Sequence, residues 1–368
     1  MREQTIFKEN RVVTRCALMI LWIFWGCLLS LGSVTESLAA TAGACSNCHT
    51  MHNSQDGGAI VASGPVQKLL KGDCVGCHTG TNKSSTTVPY VFSTSADYGT
   101  TGTEGDTLAG GNFRWVATNS AYGHNVEGLH SKDTLPNDNL PPGYDAAYSP
   151  VTTNWAANQL SCAGTHGCHG TRTEPNPMDA MEGTHHSSST GAVEPGGSTT
   201  PGTSYRALVG IHGYEDPDWE FKADATYHNQ YKGVDSPETS ETTTISSLCA
   251  QCHGVFHQEN NGVSPWLRHP TDFDLASLNS SEYDAYNGGN GTNNPYSVVA
   301  PVASNTISGG PLSEVDAGDD AADEAIITCI SCHRAHGTPY YKMMRWDYAQ
   351  GTAPAGWTSC AICHRTKS

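Results

Sequence analysis

Six times in this 368-residue chain a pair of cysteines is followed at once by a histidine. The sites are Cys45-Cys48-His49, Cys74-Cys77-His78, Cys162-Cys168-His169, Cys249-Cys252-His253, Cys329-Cys332-His333 and Cys360-Cys363-His364. Five are C-x-x-C-H, and the third, "CAGTHGCH", is wider. Two thiols at this spacing reach the two vinyl groups on one edge of a porphyrin, and the next residue turns its imidazole under the ring as the proximal iron ligand. Zinc ribbons also use C-x-x-C, and disulfides suit an exported protein, but neither requires a histidine after every second cysteine. With 17 histidines in the chain, six such matches by accident are negligible. The pattern predicts six haem c groups, the third held by a longer loop, with a Cys162–Cys168 disulfide as that site's alternative.

That expectation accounts for the rest of the composition. Gly, Ser, Thr, Asn and Pro dominate, apolar runs are short, and few stretches keep a helical or alternating period. A chain this long with so little patterned apolar sequence needs something else to fill its interior. The predicted fold is mostly irregular coil with short helices and few short strands, wrapped around an elongated chain of haems that serve as its core. Sites one and two, and sites five and six, lie close in sequence, while long connections separate the others.

The first 40 residues read as a signal peptide: Arg2, Lys8, Arg11 and Arg15 precede an apolar run from Cys16 to about Leu31, and small residues surround Ala39–Ala40. Cleavage is expected after Ala39, with a nearly equal site at Ala40-Thr41-Ala42. Cys27 lacks the leucine of a lipidation site. Residues 41–368 are then one hexahaem domain, secreted to the cell exterior or, alternatively, retained in the periplasm. Lys and Arg number 19 against 36 Asp and Glu, a formal charge of −17. That surface repels nucleic acid and anionic membranes and suits cationic partners or metal ions.

Eleven histidines do not follow a cysteine pair, and the seven methionines offer no clear ligand context, so both axial positions of each iron are expected to be histidine. The two axial ligands of one haem approach opposite faces. His52, three residues after His49, is too close to wrap around the ring and must serve a different haem. The same reasoning covers His336 after His333 and His257 after His253. His124 in "GHNV", His269 in "WLRHP", one of His185 and His186, and His228 as a reserve complete the distal candidates. His130, His166 and His212 read as structural.

The stretches "CHTMHNS" (48–54), "GGNFRWV" (110–116), "GHNV" (123–126), "WLRHP" (266–270) and "CISCHRAH" (329–336) resemble, in order, the extracellular hexahaem, filament-forming c-type cytochromes of metal-reducing bacteria. The resemblance implies one continuous haem stack, all bis-histidine, and end-to-end self-assembly in which His52 reaches the haem at Cys329–His333 of a neighbouring copy. It also implies periplasmic or outer-membrane cytochromes as electron donors and metal oxides or other extracellular acceptors. The wide third site departs from that pattern. Its segment "CHGTRTEP" carries no distal histidine, which leaves His185 or His186 as the expected substitute.

Three functions compete at this point. The first is a polymerising electron conduit; the second is a discrete periplasmic or surface carrier. The third, a multihaem reductase, needs an open iron position, and neither a Cys-x-x-Cys-Lys motif nor a shortage of histidines favours it. No catalytic residues are therefore assigned. The acidic run "EVDAGDDAADE" (314–324) lacks the spacing of a calcium loop and reads as a solvated loop. Trp115, Trp155, Trp219, Trp266, Trp346 and Trp357 read as packing residues.

Overall fold

The C-x-x-C-H segments make their own short helices. Asp73 caps the one-turn helix α1 (Cys74–Cys77), its carboxylate accepting the Gly76 N–H at 2.7 Å. Thr328 and Ser331 form a capping box on α5 (Cys329–Cys332). Cys45–Asn47 is a 3₁₀ turn. The longest helix, α4 (Ile245–His257), starts behind Thr244, whose hydroxyl accepts the Ser247 N–H, and bends at His253, which leaves helical geometry. Two further short helices, α2 (Arg114–Thr118) and α3 (Pro177–Ala180), complete the α-helices of the described residues, beside short 3₁₀ turns.

The structure is a computed structural model. It describes residues 43–365 except 63, 84–86, 95–97, 99–106, 135–138, 149–154, 156, 188–199, 236–240, 258–268, 279–281, 308–309, 320, 323 and 349–359. These residues fall in the unit Ala39–Ser368. The expected signal segment, Cys27, Trp266 and Trp357 lie outside the described residues. None of the described helices is long and apolar enough to cross a membrane.

Strands are two residues long and pair only in twos, all antiparallel. β1 (Ser54–Gln55) pairs with β2 (Gly58–Ala59), and β3 (Gly213–Tyr214) with β4 (Gln230–Tyr231). β5 (Phe273–Asp274) pairs with β8 (Ile326–Ile327), and β6 (Asn294–Pro295) with β7 (Glu314–Val315). The rest is turn and coil, the fold class that the sequence predicts.

Protein side chains contribute more of the interior than the composition suggests. One apolar cluster gathers Tyr286, Tyr296, Val302, Val315, Ile327 and Trp346, with Cys332 and Cys363 packed against it. A second joins Tyr205, Ile211, Tyr231, Leu248, Ile326 and Ile330 and touches Cys168; a third, around Phe113, Val116 and Val126, touches Cys162. Adjacent Ile326 and Ile327 enter different clusters because neighbouring strand residues face opposite ways.

Three 3₁₀ turns carry two consecutive non-glycine residues with positive φ: Lys68 and Leu69, Arg206 and Ala207, Lys342 and Met343. Left-handed backbone costs about 1–2 kcal/mol per residue outside glycine, so the surrounding structure must impose it. The acidic run closes on itself: Asp316 accepts the N–H groups of Gly318 and Asp319, and Glu324 accepts that of Asp316.

Candidate haem-binding site

Consecutive cysteine pairs meet in space in chain order. Burial and the neighbouring Cys48 thiol push the Cys77 thiol up. Cys74 and Cys162 share a hydrogen bond, which lowers Cys74 and raises Cys162; Cys329 and Cys249 repeat that arrangement, with Cys329 lowered and Cys249 raised. Cys168 is raised by burial and, against the opposing effect of Arg172, by Cys252. Burial takes Cys332 up to about 11, with Cys329 and Cys360 adding to it and Arg345 opposing. Electrostatic neighbours therefore run one-two, two-three, three-four, four-five and five-six, with a hydrogen bond between sites two and three and between sites four and five. No disulfide joins any of these twelve cysteines, Cys162 and Cys168 included. Among the described residues no group of three or more His, Cys, Asp or Glu is placed to close around a bare ion.

Histidine rings face one another across the same gap at five sites. His49 and His186 have ring centres 6.2 Å apart, His78 and His185 6.1 Å, His169 and His336 6.3 Å, His253 and His124 6.1 Å, and His364 and His269 6.1 Å. These distances are nearly uniform, although the interplanar angles range from 18° to 83°. Each pair contains one histidine that follows a cysteine pair. His333 faces no such partner among the described residues, and His52 is exposed on its loop beside Met51.

The Nδ1 atoms of five of the histidines that follow a cysteine pair are tied to the backbone. Nδ1 of His49 donates to the Lys68 carbonyl at 3.1 Å, His78 to Pro89 at 2.8 Å, and His169 to Arg206 at 2.9 Å. His253 donates to Pro142 at 2.6 Å and His333 to Lys342 at 3.1 Å. His364 Nδ1 lies 3.8 Å from the Glu282 carboxylate. A carbonyl can only accept, so Nδ1 carries the proton and Nε2 keeps its lone pair for a metal. Burial favours the same neutral form. It holds His336 down to about 3, helped by His169, and His124 down to about 4, helped by His253. His169, His253, His333 and His185 are lowered by burial as well.

The ring positions differ from several of the expected pairings. The ring facing His169 is His336, which arrives from the segment after site five, and not His185 or His186. Those two histidines, adjacent on one 3₁₀ turn, instead face His78 and His49 and so join sites one and two. His257 is buried with Nε2 2.7 Å from Asp272. His228 is buried flat against Tyr296, ring centres 3.7 Å apart, with its nitrogens on the carbonyls of Asn229 and Leu312. Both are engaged in protein contacts. Of the histidines read as structural, His166 packs edge-on against Trp155.

The sequence reading passed over what holds His336 in place. Gly110, Gly111, Gly123 and Gly337 let three backbone segments meet around it. A Cβ on Gly111 (φ +87°) would overlap the Gly337 carbonyl oxygen, one on Gly123 the His336 carbonyl oxygen, and one on Gly110 would lie 2.7 Å from His336 Nδ1. The His336 N–H donates to Gly110 O at 2.7 Å, and the ring stacks on Phe113 at 4.5 Å. The signal was present in "GGNF" and "GHNV" as glycines at a tight backbone crossing.

A family model described as a doubled CXXCH motif matches residues 321–368, which hold sites five and six. The chain is 28% identical over 349 residues to the C-type cytochrome OmcS of Geobacter sulfurreducens, covering 83% of this chain and 79% of that one. Two solved structures are also similar. One is the Outer Membrane Cytochrome S filament of that organism (20% identity, 84% of each chain, TM-score 0.45). The other is the OmcS nanowires by cryo-EM (21% identity, 83% and 84% of the chains, TM-score 0.46). Over most of its length, the chain is similar to a c-type cytochrome whose own structures are described as a filament and as nanowires.

Proposed function

We propose that this chain is an electron-transfer protein that carries six haem c groups in one continuous row and assembles end to end into an extracellular filament. The five facing imidazole pairs, with ring centres 6.1–6.3 Å apart, carry this reading. Two imidazoles that bind one metal from opposite sides at about 2.0 Å, each nitrogen about 1.1 Å from its ring centre, stand about 6 Å apart centre to centre. The axial pairs are then His49/His186, His78/His185, His169/His336, His253/His124 and His364/His269 for sites one, two, three, four and six. The cysteine pairs attach the group at each site. Haem c supplies one-electron exchange at an iron whose axial positions are both filled.

The charges of the interior fit the same group. Arg334 and Arg345 are buried, donate to backbone carbonyls, and have no carboxylate within ion-pair distance among the described residues. A buried guanidinium without an anion is costly, and the propionates of haem are anions of the right kind.

Site five explains the assembly. His333 lacks a facing imidazole in its own chain among the described residues, while exposed His52 cannot reach around its own site. His52 of one copy serving the His333 site of the next meets both needs, and end-to-end assembly follows from that pairing. In this reading residues 1–40 are removed on export and 41–368 form the hexahaem unit. Other cytochromes donate electrons, and metal oxides or similar acceptors take them at the cell exterior. Intact mass of the mature protein is expected to show six haem additions. His52→Ala is expected to keep all six and lose filaments by electron microscopy, with one iron turning high-spin. A variant that assembles normally, with every iron low-spin, would favour the discrete carrier; a high-spin iron in the native filament would favour the reductase.

A further inference from the structure

At sites one, three and five the backbone folds back on the proximal histidine in one repeated way. The Nδ1 bonds of His49, His169 and His333 end on the carbonyls of Lys68, Arg206 and Lys342. In each case the residue after the histidine donates its N–H to the next carbonyl along: Thr50 to Leu69 (2.7 Å), Gly170 to Ala207 (2.8 Å) and Arg334 to Met343 (3.0 Å). That second acceptor closes a turn through its own N–H, onto Val66, Ser204 and Tyr340 respectively. Both acceptors have left-handed backbone, with φ of 57° and 55°, 47° and 55°, and 57° and 54°. The histidine and its acceptor are separated by 19, 37 and 9 residues, so loops of unrelated length converge on the same latch.

The geometry has a simple cause. Two consecutive residues in one helical well turn their carbonyls the same way, whereas an extended pair alternates. One left-handed pair can therefore hold the imidazole and the following N–H together. Sites two and four are built otherwise: Pro89 and Pro142 accept the Nδ1 bonds, and the N–H two residues past the histidine (Gly80, Val255) goes to Phe92 and Gly143. Trp219 and Glu220 form another left-handed pair, and Trp219 accepts the Ala109 N–H, so the turn also occurs away from these histidines. What distinguishes the three is the imidazole. Their side chains have no shared task. Lys68 meets Asp179 and Glu182, Arg206 reaches Asp216 O and Asn229, and Lys342 lies over the Tyr341 ring.

We propose that Lys68, Arg206 and Lys342 are positioning residues whose left-handed backbone, and not their side-chain charge, aims the carbonyl that sets the orientation, tautomer and basicity of the proximal imidazole at alternate sites. This rests on the haem reading above. Site one tests it best, because both of its facing imidazoles belong to the same chain. In the full, haem-loaded protein, Lys68→Gly and Lys68→Asn tolerate positive φ while Lys68→Val does not, and all three lose the same ion pairs. Intact mass counts the haems; paramagnetic NMR with redox titration follows the site-one potential and His49 Nδ1–H exchange.

The valine variant is expected to keep its haem count, expose Nδ1–H to exchange and favour the reduced state of site one about tenfold, or about 59 mV for one electron. Gly and Asn are expected to stay near the native value. If Val fails to accumulate, Lys68→Ala takes its place, with a shift of the same sign. Equal shifts in all variants, which indicate lost charge, or no shift in any, overturn the inference alone. A native mass without haem overturns the reading beneath it as well.

Discussion

His257 and His52 stand at similar distances after a histidine that follows a cysteine pair, yet one is buried and the other exposed. His257 Nε2 meets the Asp272 carboxylate at 2.7 Å with both side chains almost fully buried, at 2% and 1% exposure, and Tyr148 packs edge-on against its ring. The Thr244 hydroxyl adds a bond to the same carboxylate oxygen at 3.3 Å. Such a pair is worth little against an apolar substitute, but breaking it strands a buried charge. His257→Ala is therefore expected to lose about 3–5 kcal/mol of stability in denaturant unfolding. Every iron should stay low-spin, because no axial ligand is removed. Asp272→Asn, which can keep a hydrogen bond to the ring, is expected to cost less, about 1–3 kcal/mol. A high-spin signal in His257→Ala would instead make His257 a ligand.

Short elements set the geometry of the rings by closing on one another across long stretches of chain. The Gly110–Gly111 turn, the start of the His124 segment and Gly337 cross so tightly that main chain packs against main chain, and His336 is held at that crossing. Gly111→Ala meets both penalties, a positive φ and a collision with the Gly337 carbonyl. About 1–2 kcal/mol of strain and about 1–3 kcal/mol of overpacking are expected. His336 should move away from His169, so site three is the iron expected to change spin state by electron paramagnetic resonance. Gly128→Ala has a similar φ of +88° but open space around the added methyl, and is expected to show the strain alone with no spectral change. Equal spectral effects from the two variants would show that the crossing does not position His336.

Across the whole described chain, three separate apolar clusters each pack against attachment cysteines, and two-residue strands tie the loops only locally. On the haem reading, the facing imidazole pairs are joined through the bound group. A protein made without haem attachment, by replacing all twelve cysteines with serine, is expected to lose cooperative unfolding and near-ultraviolet dichroism. The formal charge of −17 adds self-repulsion that opposes the compact state of that variant. Native-like cooperativity in that variant would show that the protein clusters suffice.

On the haem reading proposed above, the attachment chemistry could be expected from the sequence because covalent attachment is local. Two thiols and an imidazole within a few residues declare their purpose without reference to anything distant, and the same is true of the capped turns that carry them. The mostly irregular fold followed from composition for a related reason: runs too short to bury a face cannot make long elements. His52 could likewise be separated from its own site by chain length alone. Which ring faces which could not be read, because it depends on pairings across hundreds of residues. His336 belongs with His169, and His185 and His186 divide between His78 and His49, since glycine crossings and left-handed turns bring those backbones together. Nothing in the sequence near His257 or His228 announced that a buried aspartate and two carbonyls would claim them. The residues near each cysteine pair declare the attachment chemistry; their partners on the far face are chosen by where the backbone can approach closely enough, and that is decided only in three dimensions.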